Sequence, residues 1–588
     1  MTNPLLAEWT GPFGLPPFDA IEDADFGPAL EAALAEDLAE VVGVADAAEP
    51  PTFANTIEGL MCCGATLDRV TGVFFNLAGS DSTPAREALM REYSPKLAAH
   101  AAAIYGNRPL FDRIRSLWER RETLGLNDEQ ARVLMLVHRN FIRAGAALEG
   151  DDAARMTAIK QRLAVLGTSF TQNLLADERD WSMPLSEADL VGLPGFVVAA
   201  ARAAGEERGA AGPVLTLSRS LIVPFLQFSP RRDLRERAYK AWVARGAGGG
   251  ATDNREIAAE ILGLRQERAA LLGYADFASY KLETEMAGTP AKVRALLSAV
   301  WAPARAQAEA DAQLLEERMH ADGVNAALAP WDWRYYAEKR RKAEHDLDDA
   351  ALKPYLQLDR MIEAAFDCAN RLFGLEFRAL DLPLYHPDAR AWEVTRGGAH
   401  VAVFIGDYFA RGSKRSGAWC SAMRMQGKFP KVQHPVVVNV CNFAKGTPAL
   451  LSYDDARTLF HEFGHALHQM LSDVTYDMVA GTSVARDFVE LPSQLFEHWL
   501  EVPEGLRRFA THVETGDAMP QEMLDKVLKA ANFDQGFQTV EYVASALVDL
   551  AFHEGAAPAD PMAKQAEVLA YFERSRDILL KIRAAEGA

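Results

Sequence analysis

A chain of 588 residues, 49% hydrophobic and 24% charged, is too long and too apolar to be disordered and holds material for a large core or several domains. Its 62 Lys+Arg against 82 Asp+Glu leave a net charge of −20, which repels phosphate backbones and anionic lipid and argues against nucleic-acid or membrane-surface partners. The five cysteines, Cys62, Cys63, Cys368, Cys420 and Cys441, are scattered and form no CxxC pair; this excludes a disulfide framework and a cysteine-based zinc site and fits a reducing compartment.

The opening residues carry no basic segment before an apolar run, so no signal peptide is expected. The greasiest stretch, 190–204, is interrupted by Pro194 and Arg202 and is too short to span a bilayer. The expectation is a cytoplasmic protein. Apolar residues three and four apart predict helices over 26–42, 56–75, 85–105, 131–148 and 153–175. Residues 186–213 turn Gly- and Ala-rich, a looser excursion with one or two short elements. Residues 215–228 are β-branched and apolar enough for a strand or two, although Pro224 sits badly in a central strand. Gly246 to Gly250 lacks the GK[ST] of a phosphate cradle and reads as an inter-helix loop. Helical periodicity resumes from about 231 to 373. The run Lys339-Arg340-Arg341-Lys342 is surrounded by acids and reads as a solvated helix face.

After Phe373 the character changes. Residues 391–395 and 400–405 flank Arg396-Gly397-Gly398 as a hairpin, and 435–440 (PVVVNV) is a buried-strand candidate. The division expected is a helical N-terminal lobe, 1–373, and a second lobe, 374–588, with a small sheet just ahead of a strong helix that starts near Leu451.

That helix carries His461-Glu462-x-x-His465. Four residues make about one helical turn, so both imidazoles share a face and can grip one tetrahedral zinc ion. Glu462 then stands beside the ion, placed to accept a proton from an attacking water. Ser452 with Asp455 resembles a capping box, and Leu459, Phe460, Phe463, Ala466, Leu467, Met470 and Leu471 make a broad apolar face that buries the helix. Gly464 costs about 1 kcal/mol relative to Ala in such a helix, so another backbone segment is expected against it. Two ordinary histidines on a helix would leave the same pentapeptide; a third ligand decides. Glu490 follows His465 by 25 residues (490 − 465), room for a loop and a returning helix with Asp487 as its N-cap, and its apolar neighbours Phe488, Val489 and Leu491 speak against exposure. Spacing does not choose between Glu490 and Glu497.

The segments FHEFGHALHQML and GTSVARDFVELPSQLFEHW resemble the thimet-oligopeptidase family of zinc metallopeptidases. LPPFDAIEDADFGPALEAAL, LLGYADFASYKLETEMAGTP, WDWRYYAEKRRK and GSKRSGAW extend the resemblance over most of the chain, nearest to the bacterial peptidyl-dipeptidase (dipeptidyl carboxypeptidase) branch. The resemblance implies a mostly α, two-lobed zincin-type fold with a deep channel and a small β-sheet near the zinc helix. It assigns the metal ligands to His461, His465 and Glu490 and the general base to Glu462, with one Zn2+ per chain. Short peptides are the implied substrates, most simply by release of C-terminal dipeptides, with internal cutting as the alternative; a monomer or weak homo-oligomer is expected. The hairpin at 391–405 could offer an edge to an extended peptide. Lys414, Arg415 and Arg424 are candidate partners for a substrate carboxylate, or ordinary surface cations. By the same resemblance, family members continue into a stretch with a His and a Gly-Tyr-Tyr-x-Tyr-like segment that this sequence does not display. Loss of one oxyanion donor typically costs about 100- to 1000-fold in turnover, so a zinc-bound peptide-binding protein with weak turnover is the rival expectation.

Overall fold

The computed structural model of the protein describes residues 3–345, 349–530 and 532–572. The chain is mostly helical and divides into two compact units, each discontinuous in sequence: Met1–Leu148 with Asp348–Leu524, and Glu149–Leu347 with Asp525–Ala588. One cut at 373 does not describe this division, because helices from the start of the chain pack on the sheet that follows Phe373.

In the first unit these helices are α1 (Asp23–Ala45) and α2 (Ala65–Ser80), joined later in the chain by α3 (Leu358–Phe373), α4 (Tyr453–Met470) and α5 (Leu491–Glu497). The helix expected over 56–75 is broken ahead of α2, where Cys63 is extended and Gly64 takes φ 74. α1 and α2 share a core of Phe26, Leu30, Val70, Val73 and Phe74. α2 then lies along the sheet: Asn76 Nδ2 donates to Ser421 Oγ at 3.1 Å, and a Cβ on Gly72 would stand 2.9 Å from the Met423 carbonyl oxygen.

The sheet has five strands, β1 (Leu375–Leu380), β2 (Arg390–Arg396), β3 (Ala399–Phe409), β4 (Trp419–Arg424) and β5 (Val436–Phe443), in the order β1-β2-β3-β5-β4. All pairs are antiparallel except β3 with β5. The hairpin expected at 391–405 is β2–β3, and the buried run at 435–440 is β5. Both hairpin strands have neighbours on each side, so the hairpin has no free edge for a peptide; the sheet ends at β1 and β4. Alternation sorts the side chains of the sheet. Val403, Ile405, Val436, Val438 and Val440 face one cluster. Phe377, Trp392 and Phe404 face the other side and meet Phe366 of α3, with Phe377 and Phe404 also touching Phe463 of α4. This aromatic layer seats α4 on the sheet.

The second unit is helical. Pro290–Ala321 packs along Gln535–His553 around Trp301, Leu315, Trp333, Phe537 and Leu547. Residues 215–228 are not strands beyond Thr216: Val214–Thr216 pairs with Ser182–Pro184, and Arg219–Phe228 is a helix with Pro224 inside it. Its buried residues, Leu221, Ile222, Phe225 and Leu226, recur at helical spacing, and that periodicity outweighs the β-branched composition and the proline. The basic run at 339–342 is ion-paired rather than simply solvated, with Arg340 bound to Asp311 and Glu344 and Arg341 to Glu338. Among the described residues no helix is long and apolar enough to cross a membrane.

Candidate metal centre

α4 is built to hold its own shape. The Ser452 hydroxyl accepts the Asp455 amide at 3.0 Å, and the Asp455 carboxylate accepts the Ser452 amide at 3.0 Å, so two otherwise unsatisfied amide donors are capped. Leu459, Phe460, Phe463, Ala466, Leu467 and Met470 are buried. His461 and His465 lie one turn apart with ring centroids separated by 4.9 Å.

α5 meets α4 at Gly464. A Cβ there would stand 2.7 Å from Ser493 Cα and 2.8 Å from the Pro492 carbonyl oxygen, so the expected close backbone approach is present and any side chain would obstruct it. The returning helix starts later than its sequence suggests: Glu490, not Asp487, is the N-cap, and Pro492 occupies the first turn. The Glu490 side chain is 51% exposed, contrary to the expectation drawn from its apolar neighbours. Its carboxylate points across to the histidines rather than into the core.

The convergence is tight. Glu490 Oε2 lies 3.3 Å from His461 Nε2 and 3.1 Å from His465 Nε2. A tetrahedral ion with bonds near 2.0–2.1 Å needs donor–donor separations of about 3.3 Å, and both Glu490–histidine separations match that length. Among the described residues this trio is the group of His, Cys, Asp and Glu side chains gathered closely enough to hold a metal, with donor atoms within 4.8 Å of one another. Glu497 is not part of it: its Oε1 sits 2.7 Å from His461 Nδ1, on the far side of the ring.

Glu462 is buried, at 5% exposure, and its Oε2 has no hydrogen-bond partner among the described residues. Burial pushes its carboxyl up to about 7, helped by the Glu490 charge and opposed by His461. Burial also lowers the His465 imidazole, which favours the neutral, ligating form.

Two residues around the trio were not singled out by sequence. Arg457 stands one turn before His461 and binds Glu497 at 2.5 Å. The buried Ser493 hydroxyl lies 2.9 Å from both the carbonyl oxygen and Oε2 of Glu490. The four-residue ladder 457, 461, 465 was a readable signal for Arg457; nothing in the spacing marked Ser493. Two of the candidate cations are otherwise engaged. Lys414 is fully buried, with Nζ donating to Asp407 Oδ1 at 2.7 Å and to the carbonyls of Asp407, Phe409 and Cys441. Arg424 donates to the carbonyls of Phe13, Gly14 and His434. Arg415 is exposed, with its guanidinium 4.5 Å from the Trp419 ring centre.

Comparison with known proteins places this geometry. The sequence profile of Peptidase family M3 matches residues 225–582. Dipeptidyl carboxypeptidase of Escherichia coli (strain K12) is 36% identical over 559 residues, covering 94% of this chain and 82% of that protein. Oligopeptidase A of the same organism is 32% identical over 587 residues, covering 98% and 86%. Organellar oligopeptidase A of Arabidopsis thaliana is 30% identical over 583 residues, covering 95% and 73%. With a family match over more than half its length and relatives of this identity and coverage, the chain belongs to peptidase family M3 and is a metallopeptidase that hydrolyses peptides.

Proposed function

We propose that the protein is a zinc-dependent peptidase of short peptides that releases C-terminal dipeptides, with His461, His465 and Glu490 as metal ligands and Glu462 as general base and acid. The observation that carries the reading is that Glu490 Oε2 lies 3.3 Å from His461 Nε2 and 3.1 Å from His465 Nε2, with the donor atoms of the trio all within 4.8 Å of one another, beside the buried Glu462 carboxylate. Two imidazoles and a carboxylate suit zinc and leave a fourth position open. When bound, the ion supplies Lewis acidity toward the scissile carbonyl and the attacking water.

The chain's own residues do the rest. Glu462 Oε2 takes the proton of the attacking water and returns it to the nitrogen of the leaving amine. Its carboxyl, lifted toward neutrality by burial, suits both directions of that transfer; a cation beside it opposes the lift. Ser493 holds Glu490 Oε2 in place from inside the fold. The preference for dipeptide release over internal cutting follows the dipeptidyl carboxypeptidase relatives.

Two measurements test the reading. Hydrolysis of a quenched peptide should vanish with a chelator and return with zinc. Glu462→Gln should lower turnover by about a hundred- to ten-thousand-fold while zinc stays bound; a fully active Glu462→Gln protein refutes the assignment. A free-acid peptide cleaved far faster than its C-terminal amide supports dipeptide release, and equal rates support internal cutting.

A further inference from the structure

Glu497 faces the site from the opposite side of the His461 ring. Its carboxylate is 12% exposed and divides its oxygens between two partners on α4: Oε1 lies 2.7 Å from His461 Nδ1, and Oε2 lies 2.5 Å from Arg457 Nε. A carboxylate at that distance requires the proton on Nδ1, which leaves the Nε2 lone pair free. Nε2 is the nitrogen aimed at Glu490 Oε2, 3.3 Å away. Among the described residues His465 has no such support, since its buried Nδ1 finds no hydrogen-bond partner there.

Helix geometry explains how one residue can do this. Arg457, His461 and His465 are spaced by four along α4, and Glu490 and Glu497 by seven, about two turns, along α5. With α5 brought close by Gly464, its first carboxylate reaches the Nε2 side of the histidines and its second reaches the Nδ1 side of one of them. The exposed His498, just past the end of α5, bonds Glu501 instead.

We infer that Glu497 is a positioning residue for the metal: it fixes the tautomer and ring orientation of His461, while Arg457 holds Glu497 in the rotamer that does so. This rests on the reading of His461 as a ligand. It goes beyond an ion pair stapling α4 to α5, because it assigns the carboxylate an effect on metal affinity. Partners of this kind typically change metal affinity by about 10- to 100-fold.

The test uses the full chain stripped of metal and titrated with zinc against a chromophoric chelator, with the visible spectrum of the cobalt(II) form as a second readout. Glu497→Ala should weaken zinc binding by about 10- to 100-fold and alter the cobalt spectrum. Glu497→Gln keeps an oxygen for the Nδ1 proton and loses the charge, so it should fall between Glu497→Ala and the parent; it also preserves the test if the alanine variant folds poorly. Arg457→Ala should weaken binding less than Glu497→Ala, and His498→Ala not at all. Parental zinc affinity and an unchanged cobalt spectrum in both Glu497 variants would overturn the inference. His465→Ala separates the two layers of the argument: if it abolishes zinc binding while the Glu497 variants bind zinc as tightly as the parent, only the positioning role fails, and if it binds zinc like the parent, the metal centre itself is wrong.

Discussion

α4 and α5 hold the two halves of the same site by different means. α4 runs for 18 residues, carries its own capping box and buries a broad apolar face against the aromatic layer of the sheet. α5 has seven residues, no side-chain cap hydrogen bond and a proline in its first turn. A helix that short does not persist on its own; it is held by what it packs against. Phe496 stacks on Phe460 with ring centroids 5.6 Å apart, and the Pro492–Ser493 backbone rests on Gly464. The histidines are therefore placed by a self-supporting element, and Glu490 by tertiary contact.

The largest break in this comparison should come at Gly464. Alanine is the better helix former by about 1 kcal/mol, so an isolated α4 would gain from Gly464→Ala. In the protein the new Cβ meets Ser493 Cα at 2.7 Å, backbone that cannot swing aside as a side-chain tip could. The expected outcome is a net loss of about 1–3 kcal/mol of stability, read by chemical denaturation, with weakened zinc binding as α5 is pushed away. A stabilised Gly464→Ala protein with unchanged zinc affinity would show that α5 tolerates displacement and that the contrast is wrong.

Ser452→Ala probes the other helix and should do less. Losing an N-cap costs about 1 kcal/mol, but the remaining length and buried face of α4 keep His461 and His465 one turn apart. The melting temperature should drop and zinc affinity should hold. A matching loss of affinity would mean that α4 also depends on its surroundings for the geometry of its ligands.

The same contrast explains what the sequence disclosed. The α4 signals are local: the cap at Ser452 and Asp455, the apolar periodicity and the four-residue histidine spacing all lie between Ser452 and Met470. Even the glycine was informative, because a costly residue in a buried helix implies a close neighbour. On α5, Glu490 and Glu497 differ by two turns and share a face, so spacing could not say which carboxylate takes which side of His461. That choice depends on the 466–490 connection and on where α5 lands. The exposure of Glu490 and the N-cap were misjudged for the same reason: apolar neighbours in sequence are not neighbours in space. The candidate cations at Lys414 and Arg424 are engaged through pairings that residue type does not disclose: Cys441 completes a ring of acceptors around the buried ammonium, and Phe13 and Gly14, from the start of the chain, meet the guanidinium.

The finest probe lies where α4 meets the chain leading into α5. His468, one turn past His465, has its ring centre 6.2 Å from that of Phe488, and its Nδ1 has no hydrogen-bond partner among the described residues. Burial lowers its imidazole from the usual range, so below an unfolded pKa of about 6.5 the unfolded chain takes up a proton that the folded chain resists. The stability tied to the neutral ring is present above that pH and is lost as pH falls through the lowered folded value. His468→Gln removes the titration, so melting of the metal-free chain at about pH 5.5 against about pH 7.5 should fall less steeply in the variant. The difference should be small, because burial also lowers His138, His345, His400 and His465, and those four continue to weaken the fold in acid. An identical pH slope in the two proteins would mean that the α4 side of this junction is open to water, and that the tight packing between the two helices is confined to Gly464 and the residues just before it.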